Sequence, residues 1–175
     1  MFTDTDWKPV SRPVLFGSAL AALSFCIYAL MDDDGFLFSD YVNLPFHEFG
    51  HLFFGLFGET LGMWGGTVMQ LLIPFGIFIS FLLRKETGGV FFSSFWFGEN
   101  LLHISVYIND ARTMALPLVG GGEHDWNRIL GSMDMLGSDH YIAGAVRVVG
   151  WLVMLASTTW FLVTGFRQPP AEYIP

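Results

Sequence analysis

The sequence predicts an all-α, multi-pass helical membrane protein with four to five membrane segments, on three observations. Of its 175 residues, 53 % are hydrophobic and only 14 % charged, where a soluble domain carries nearer a quarter charged residues. The shortage of charge is also local. No charged residue lies between Pro13 and Met31 or between Gly65 and Leu83, and only Arg147 interrupts Tyr141 to Phe166. Apolar runs of about 20 residues match the hydrocarbon thickness of a bilayer. Finally, two of the runs close on basic residues, Arg84-Lys85 and Arg167. The length suits one domain, so residues 1–175 are read as a single membrane-embedded unit.

The elements follow in order. Residues 13–31 form the first helix, opened by Pro13, whose fixed φ suits a first turn. Residues 44–58 form a shorter segment that starts at Pro45. The next two helices cover 65–83 and 89–109. The long extramembrane connection 110–140 contains "LPLVGGGEHDW", where Gly and Pro exclude a continuous helix, and Asp125 is a plausible N-cap for 126–132. The last helix covers 141–166, with Asp139 and His140 at its entry and a Pro-rich, extended tail after it. Arg147 either snorkels or pairs with an acid such as Asp139. Trp7, Trp64, Trp126 and Trp151 read as interface anchors.

If 44–58 crosses fully, Arg84-Lys85 falls opposite the N-terminus. If it is re-entrant, Lys8, Arg12, Arg84, Lys85 and Arg167 share one side, as the positive-inside rule prefers. The second arrangement is the expected one, and it brings residue 44 and residue 110 to the same membrane face. The expected location is integral and multi-pass, with a bacterial inner membrane the first choice. The net charge of -8 leaves no basic patch to meet phosphates, which argues against nucleic acid as a partner. Cys26, the single cysteine, forms no internal disulfide. The first apolar run is long for a signal peptide and follows Asp4 and Asp6.

Inside an apolar run, "NLPFHEFGHLFFG" places His47, Glu48 and His51. The order H-E-x-x-H puts His47 and His51 on one face of a helix, able to present two imidazoles to one zinc ion. A catalytic zinc needs a third protein ligand. Glu48, next to the first histidine, is placed to take a proton from water. Ionisable residues within a membrane segment are costly and usually functional. The alternative is a polar seam, in which these side chains bond neighbouring helices and hold no metal.

An H-E-x-G-H in a Gly-rich apolar helix resembles the site-2 protease-like family of intramembrane zinc metallopeptidases. The stretch "GGTVMQLLIPF", with Gly65, Gly66 and Gln70, is similar to that family's next, amide-containing helix. "ENLLHISVYINDAR" is similar to its Asn-Leu-Leu run, here Asn100 to Leu102, leading to an Asp, here Asp110, with Ala111 where the family usually has Gly. The resemblance covers roughly residues 45–112. It implies zinc as cofactor, Asp110 as third ligand, and peptide-bond hydrolysis near or within the membrane.

Other candidates remain for the third ligand. Glu99, His103, Val106 and Asp110 fall on one helical stripe. His103 is the runner-up; otherwise Glu99 and His103 pair with each other and Asp110 with Arg112. Asn100 could donate a hydrogen bond to a bound carbonyl. His124 and Asp125 are next in line if both Asp110 and His103 fail. Expected partners are membrane lipid, a peptide or membrane-protein substrate and, on the competing reading, other membrane subunits. On that reading the chain is a non-catalytic accessory subunit that keeps a peptidase-like fold.

Overall fold

The computed structural model describes residues 7–32, 35–118 and 123–168. The helices are α1 (Arg12–Met31), α2 (Asp40–Gly55), α3 (Glu59–Leu83), α4 (Thr87–Asn109), α5 (Asp125–Ser132) and α6 (Asp139–Arg167), with a 3-10 turn at Leu136–Ser138 before the last. Gly120 to Gly122 and the Pro-rich tail beyond Gln168 lie outside the described residues. The expected helices are present, and most begin a little earlier than their apolar runs. Among the described residues three helices are long and apolar enough to cross a membrane: α1, α3, and α6 with its 3-10 turn. This is fewer than the four to five expected. α2 has only 16 residues. The 23-residue α4 carries Ser93, Glu99, Asn100, His103 and Ser105 along its length, which lowers its hydropathy.

The polarity of the molecule is inverted relative to a water-soluble fold. Asp40, Asn43, Gln70, Glu99 and Asn100 are buried, while Leu20, Leu52, Leu56, Leu83 and Leu152 are exposed. Helices approach through small residues, as they do where lipid replaces water. A Cβ added at Gly50 would collide with the Gly65 carbonyl, and one added at Gly65 with the Gly50 carbonyl, so α2 and α3 touch backbone to backbone. Gly98 and Gly150 do the same for α4 and α6, with a virtual Cβ of each under 3.0 Å from the other's oxygen. The turn between α2 and α3 contains Gly58 at φ 123°, a conformation that L side chains rarely adopt.

Two sets of contacts define the ends of the bundle. At one end Lys8 pairs with Glu86 (2.5 Å), Arg12 Nη1 donates to the Gly165 carbonyl (3.2 Å), and Gln168 Nε2 donates to Thr87 Oγ1 (3.3 Å). The start of α1, the turn between α3 and α4 and the close of α6 therefore lie together. At the other end Arg112 Nε donates to Asp139 Oδ2 (2.7 Å), joining the close of α4 to the start of α6. That contact occupies Asp139, the acid the sequence offered to Arg147.

α2 begins part-way down the bundle. Asn43 Nδ2 bonds Glu99 Oε2 (3.0 Å) and Trp96 Nε1 donates to Asn43 Oδ1 (2.8 Å), midway along α4. From there α2 runs antiparallel to α3 and closes at the Gly62 end of it. The helix starts at Asp40 and not near Pro45, because Asp40 and Asn43 anchor its first turn. Pro45 falls inside, on an exposed face. The connection 110–140 folds over the end of the bundle. Trp126, Ile129 and Leu130 of α5 pack with Ile104, Ile108 and Ala143. Trp126 stacks edge-on against Trp64 and is thus core material, not an interface anchor.

Candidate metal centre

His47 and His51 are one turn apart on α2, and both point toward α3 and α5. Directly beneath them is Gly66, where a Cβ would stand 2.5 Å from each Nε2 atom. The two rings sit where only a hydrogen leaves room. His51 Nδ1 lies 2.8 Å from the Gly62 carbonyl. That oxygen can only accept, so Nδ1 carries a proton, and in the neutral ring Nε2 keeps its lone pair. His47 Nδ1 donates to Gln70 Oε1 (3.1 Å), which likewise frees its Nε2.

The third group is Asp125, the first residue of α5. Its Oδ2 is 3.1 Å from His47 Nε2 and 3.1 Å from His51 Nε2, and the two Nε2 atoms are themselves 3.1 Å apart. Three lone-pair atoms thus form an equilateral triangle. A tetrahedral ion with bonds of ~2.0 Å sets its ligands ~3.3 Å apart, so this triangle fits one face of such a polyhedron. Among the described residues these are the three histidine, cysteine and acidic side chains that converge closely enough to hold an ion. Burial works to raise the Asp125 carboxyl, but a proton on the Nε2 atoms of His47 and His51 donates to it, outweighs burial and holds the group below the usual carboxylate range.

Asp125 is itself held. Its backbone N–H donates to Tyr107 Oη (3.2 Å), and that hydroxyl lies 3.3 Å from Asp125 Oδ2. The N-cap expected of Asp125 is made by His124, whose Nδ1 accepts from Asn127 N. This leaves the Asp125 carboxylate free for the triangle. The His124 ring packs on Tyr107 with centroids 4.2 Å apart.

The third group of the triangle is not from α4 or its end, where the sequence reading looked for a third ligand in Asp110 or His103. Asp110 turns its carboxylate into the chain that follows it, accepting from Ala115 N (2.9 Å) and Leu116 N (3.0 Å). His124 Nε2 stands 3.3 Å from its Oδ2. Burial works to raise the Asp110 carboxyl; hydrogen bonds from Thr113, Leu116 and Ala115 outweigh it and lower the group. Asp110 thus shapes the loop that brings in Asp125. Nor does it pair with Arg112, which goes to Asp139.

His103 lies one step behind the triangle. Gln70 Nε2 donates to His103 Nδ1 (2.9 Å), so a single amide joins His103 to His47. Its other neighbour is Asp40 (3.3 Å), and Glu99 is held by Ser39 and Asn43, so the expected Glu99–His103 pair does not form. Asn100 is fully buried, with Nδ2 on the Trp96 carbonyl (2.8 Å). It sits seven residues before Tyr107, a rise of ~10 Å. The α4 residue that reaches the triangle is Tyr107. Glu48 is half-buried beside His47, close enough for its charge to bear on His51 and Tyr107.

Sequence reasoning named His47, His51 and Glu48 and ranked Asp125 late. It missed Tyr107, whose signal was its place one turn beyond His103. No family model matches the chain, and no characterised protein and no solved structure matches it.

Proposed function

We propose that the chain is a membrane-embedded zinc metallopeptidase, with His47, His51 and Asp125 as the metal ligands. The observation that supports this most is the 3.1 Å triangle of His47 Nε2, His51 Nε2 and Asp125 Oδ2. Two bare imidazole nitrogens and a carboxylate repel one another unless a metal ion or a proton stands among them. Two imidazoles and one carboxylate are also a donor set that catalytic zinc uses, with a position left for water. Bound there, zinc would supply Lewis acidity and make water acidic enough to lose a proton near neutral pH.

The residues of the chain divide the remaining work. Glu48 holds and returns a proton, since its carboxylate flanks the triangle without belonging to it. Gln70 and the Gly62 carbonyl fix which ring nitrogens are protonated. Tyr107 orients Asp125. The substrate class is a peptide bond near the close of α4, reached from the membrane.

The proposed topology has α1, α3, α4 and α6 crossing the bilayer and α2 re-entrant, starting at mid-depth and returning to the face that α5 covers. It is supported by the apolar exterior and by the cluster of Lys8, Arg12, Arg84, Lys85 and Arg167 toward the opposite end. The test is the metal content of the full chain purified in detergent, together with cleavage of a membrane-spanning peptide. About one zinc per chain is expected. No metal after loading, with a proton shared among the three groups, would leave the non-catalytic accessory subunit as the better reading.

A further inference from the structure

On the far side of His103 from the triangle is a cavity of about 300 Å³ among α1, α2, α4 and α6. Its polar wall includes Asp32, Asp40, His103 and Arg147, and Trp151 and Leu30 are among its other residues. Charges of both signs thus line one small space, with Arg147 reaching it from an exposed position on α6. Arg147 lies two turns into α6. Among the described residues it has no hydrogen bond and no ion pair, and Asp139 is already bound to Arg112. A guanidinium within a spanning helix is costly unless an anion meets it. On the opposite wall Asp32 uses Oδ2 for the Gly35 N–H (2.7 Å) and Asp40 accepts from Leu37 N (2.6 Å). Asp32 keeps Oδ1 for a further donor, whereas Asp40 is fully buried and its Oδ1 is taken up by Asn43 Nδ2 (3.2 Å) and His103 Nδ1 (3.3 Å).

The arrangement fits a ligand with an anion at one end and an N–H-bearing cation at the other. The volume is at the small end for ligand sites and suits a headgroup. Exposed Leu30, Val148 and Leu152 flank it on α1 and α6, offering apolar surface for acyl chains. A quaternary ammonium is held by several aromatic faces, and among the described residues Trp151 is the one Phe, Tyr or Trp of this lining. We propose that the cavity binds the headgroup of a phospholipid with a primary amine, its phosphate on Arg147 and its ammonium on Asp32. The inference rests on the membrane placement alone and is independent of the metal.

The test is lipid binding to the full chain in detergent, read by native mass spectrometry. Phosphatidylethanolamine and phosphatidylcholine of matched acyl chains are compared, with O-phosphoethanolamine and glycine as soluble competitors. The ethanolamine lipid should bind about tenfold more tightly than the choline lipid, the loss expected for charge-assisted hydrogen bonds. Arg147→Gln should weaken both lipids about tenfold, and Asp32→Asn should erase the preference between them. Equal binding of the two lipids by the unaltered chain would overturn the proposal. So would unchanged binding in Arg147→Gln with native helical content. If Arg147→Gln does not fold, Asp32→Asn decides: a retained preference refutes the ammonium site and a lost one supports it. Glycine or O-phosphoethanolamine binding as tightly as the lipid would refute a lipid ligand in favour of a soluble zwitterion.

Discussion

Gly66→Ala is the most demanding test of the metal centre. A Cβ there would stand 2.5 Å from the Nε2 atoms of His47 and His51, and ordinary contact starts at 3.4 Å. The imidazoles must therefore yield by 0.9 Å (3.4 minus 2.5). Metal–ligand distances tolerate ~0.2 Å, so the required shift is several times what coordination allows. The expected loss is at least ~100-fold in zinc affinity, about 2.7 kcal/mol. Gly76, on the same helix, has nothing within 4 Å of its virtual Cβ. Gly76→Ala should leave affinity unchanged and add a few tenths of a kcal/mol or more of helix stability. The assay is a zinc titration against a competing chelator, with circular dichroism to confirm helix content. Wild-type affinity in a folded Gly66→Ala chain would refute the placement of the ion, as would an equal loss in Gly76→Ala.

Asp125→Asn should lower zinc affinity by ~100-fold or more, while Asp110→Asn, which only loosens the loop, should cost no more than ~10-fold. The same titration separates them, and the reverse order would restore Asp110 as the ligand. Glu48→Gln should keep its zinc yet cleave a membrane-spanning peptide at least ~100-fold more slowly; retained cleavage removes Glu48 from the proton transfer. Gln70→Leu should weaken zinc ~10- to 100-fold by releasing the His47 tautomer. Asp110 is lowered in the folded chain, so its contribution is full above ~3.9 and fades as pH falls below that. Hydrogen exchange at Ala115 and Leu116 should accordingly quicken only in acid, and protection that persists there would separate these amides from Asp110.

The helices were legible because their signals are local. The run from Pro13 to Met31 contains its own start and length, and α1 differs from it by one residue. The shared face of His47 and His51 follows from four residues of spacing. What the sequence hid is tertiary. Pro45 looked like a first turn, but Asp40 and Asn43 find partners 53 or more positions away on α4 and pull the helix start back. Asp110 and Asp125 are the same residue type in the same connection, and nothing local separates them. The difference is that Asp110 meets the amides of its own following turn first, and His124 takes over the capping that would have occupied Asp125.

The α2–α3 hairpin supplies both histidines, Glu48, Gln70 and the bare floor at Gly66, all within 24 residues, while Asp125 arrives from 78 positions beyond His47. In biogenesis the two parts therefore have different schedules. The half-site can assemble from neighbouring segments while later helices are still being synthesised, since short-range contacts close first. The last ligand docks only after α4 has been placed and the connection has folded over it. On the proposed metal reading, full-strength capture of the ion would report a chain whose α5 has docked, and loading would be the closing step of assembly.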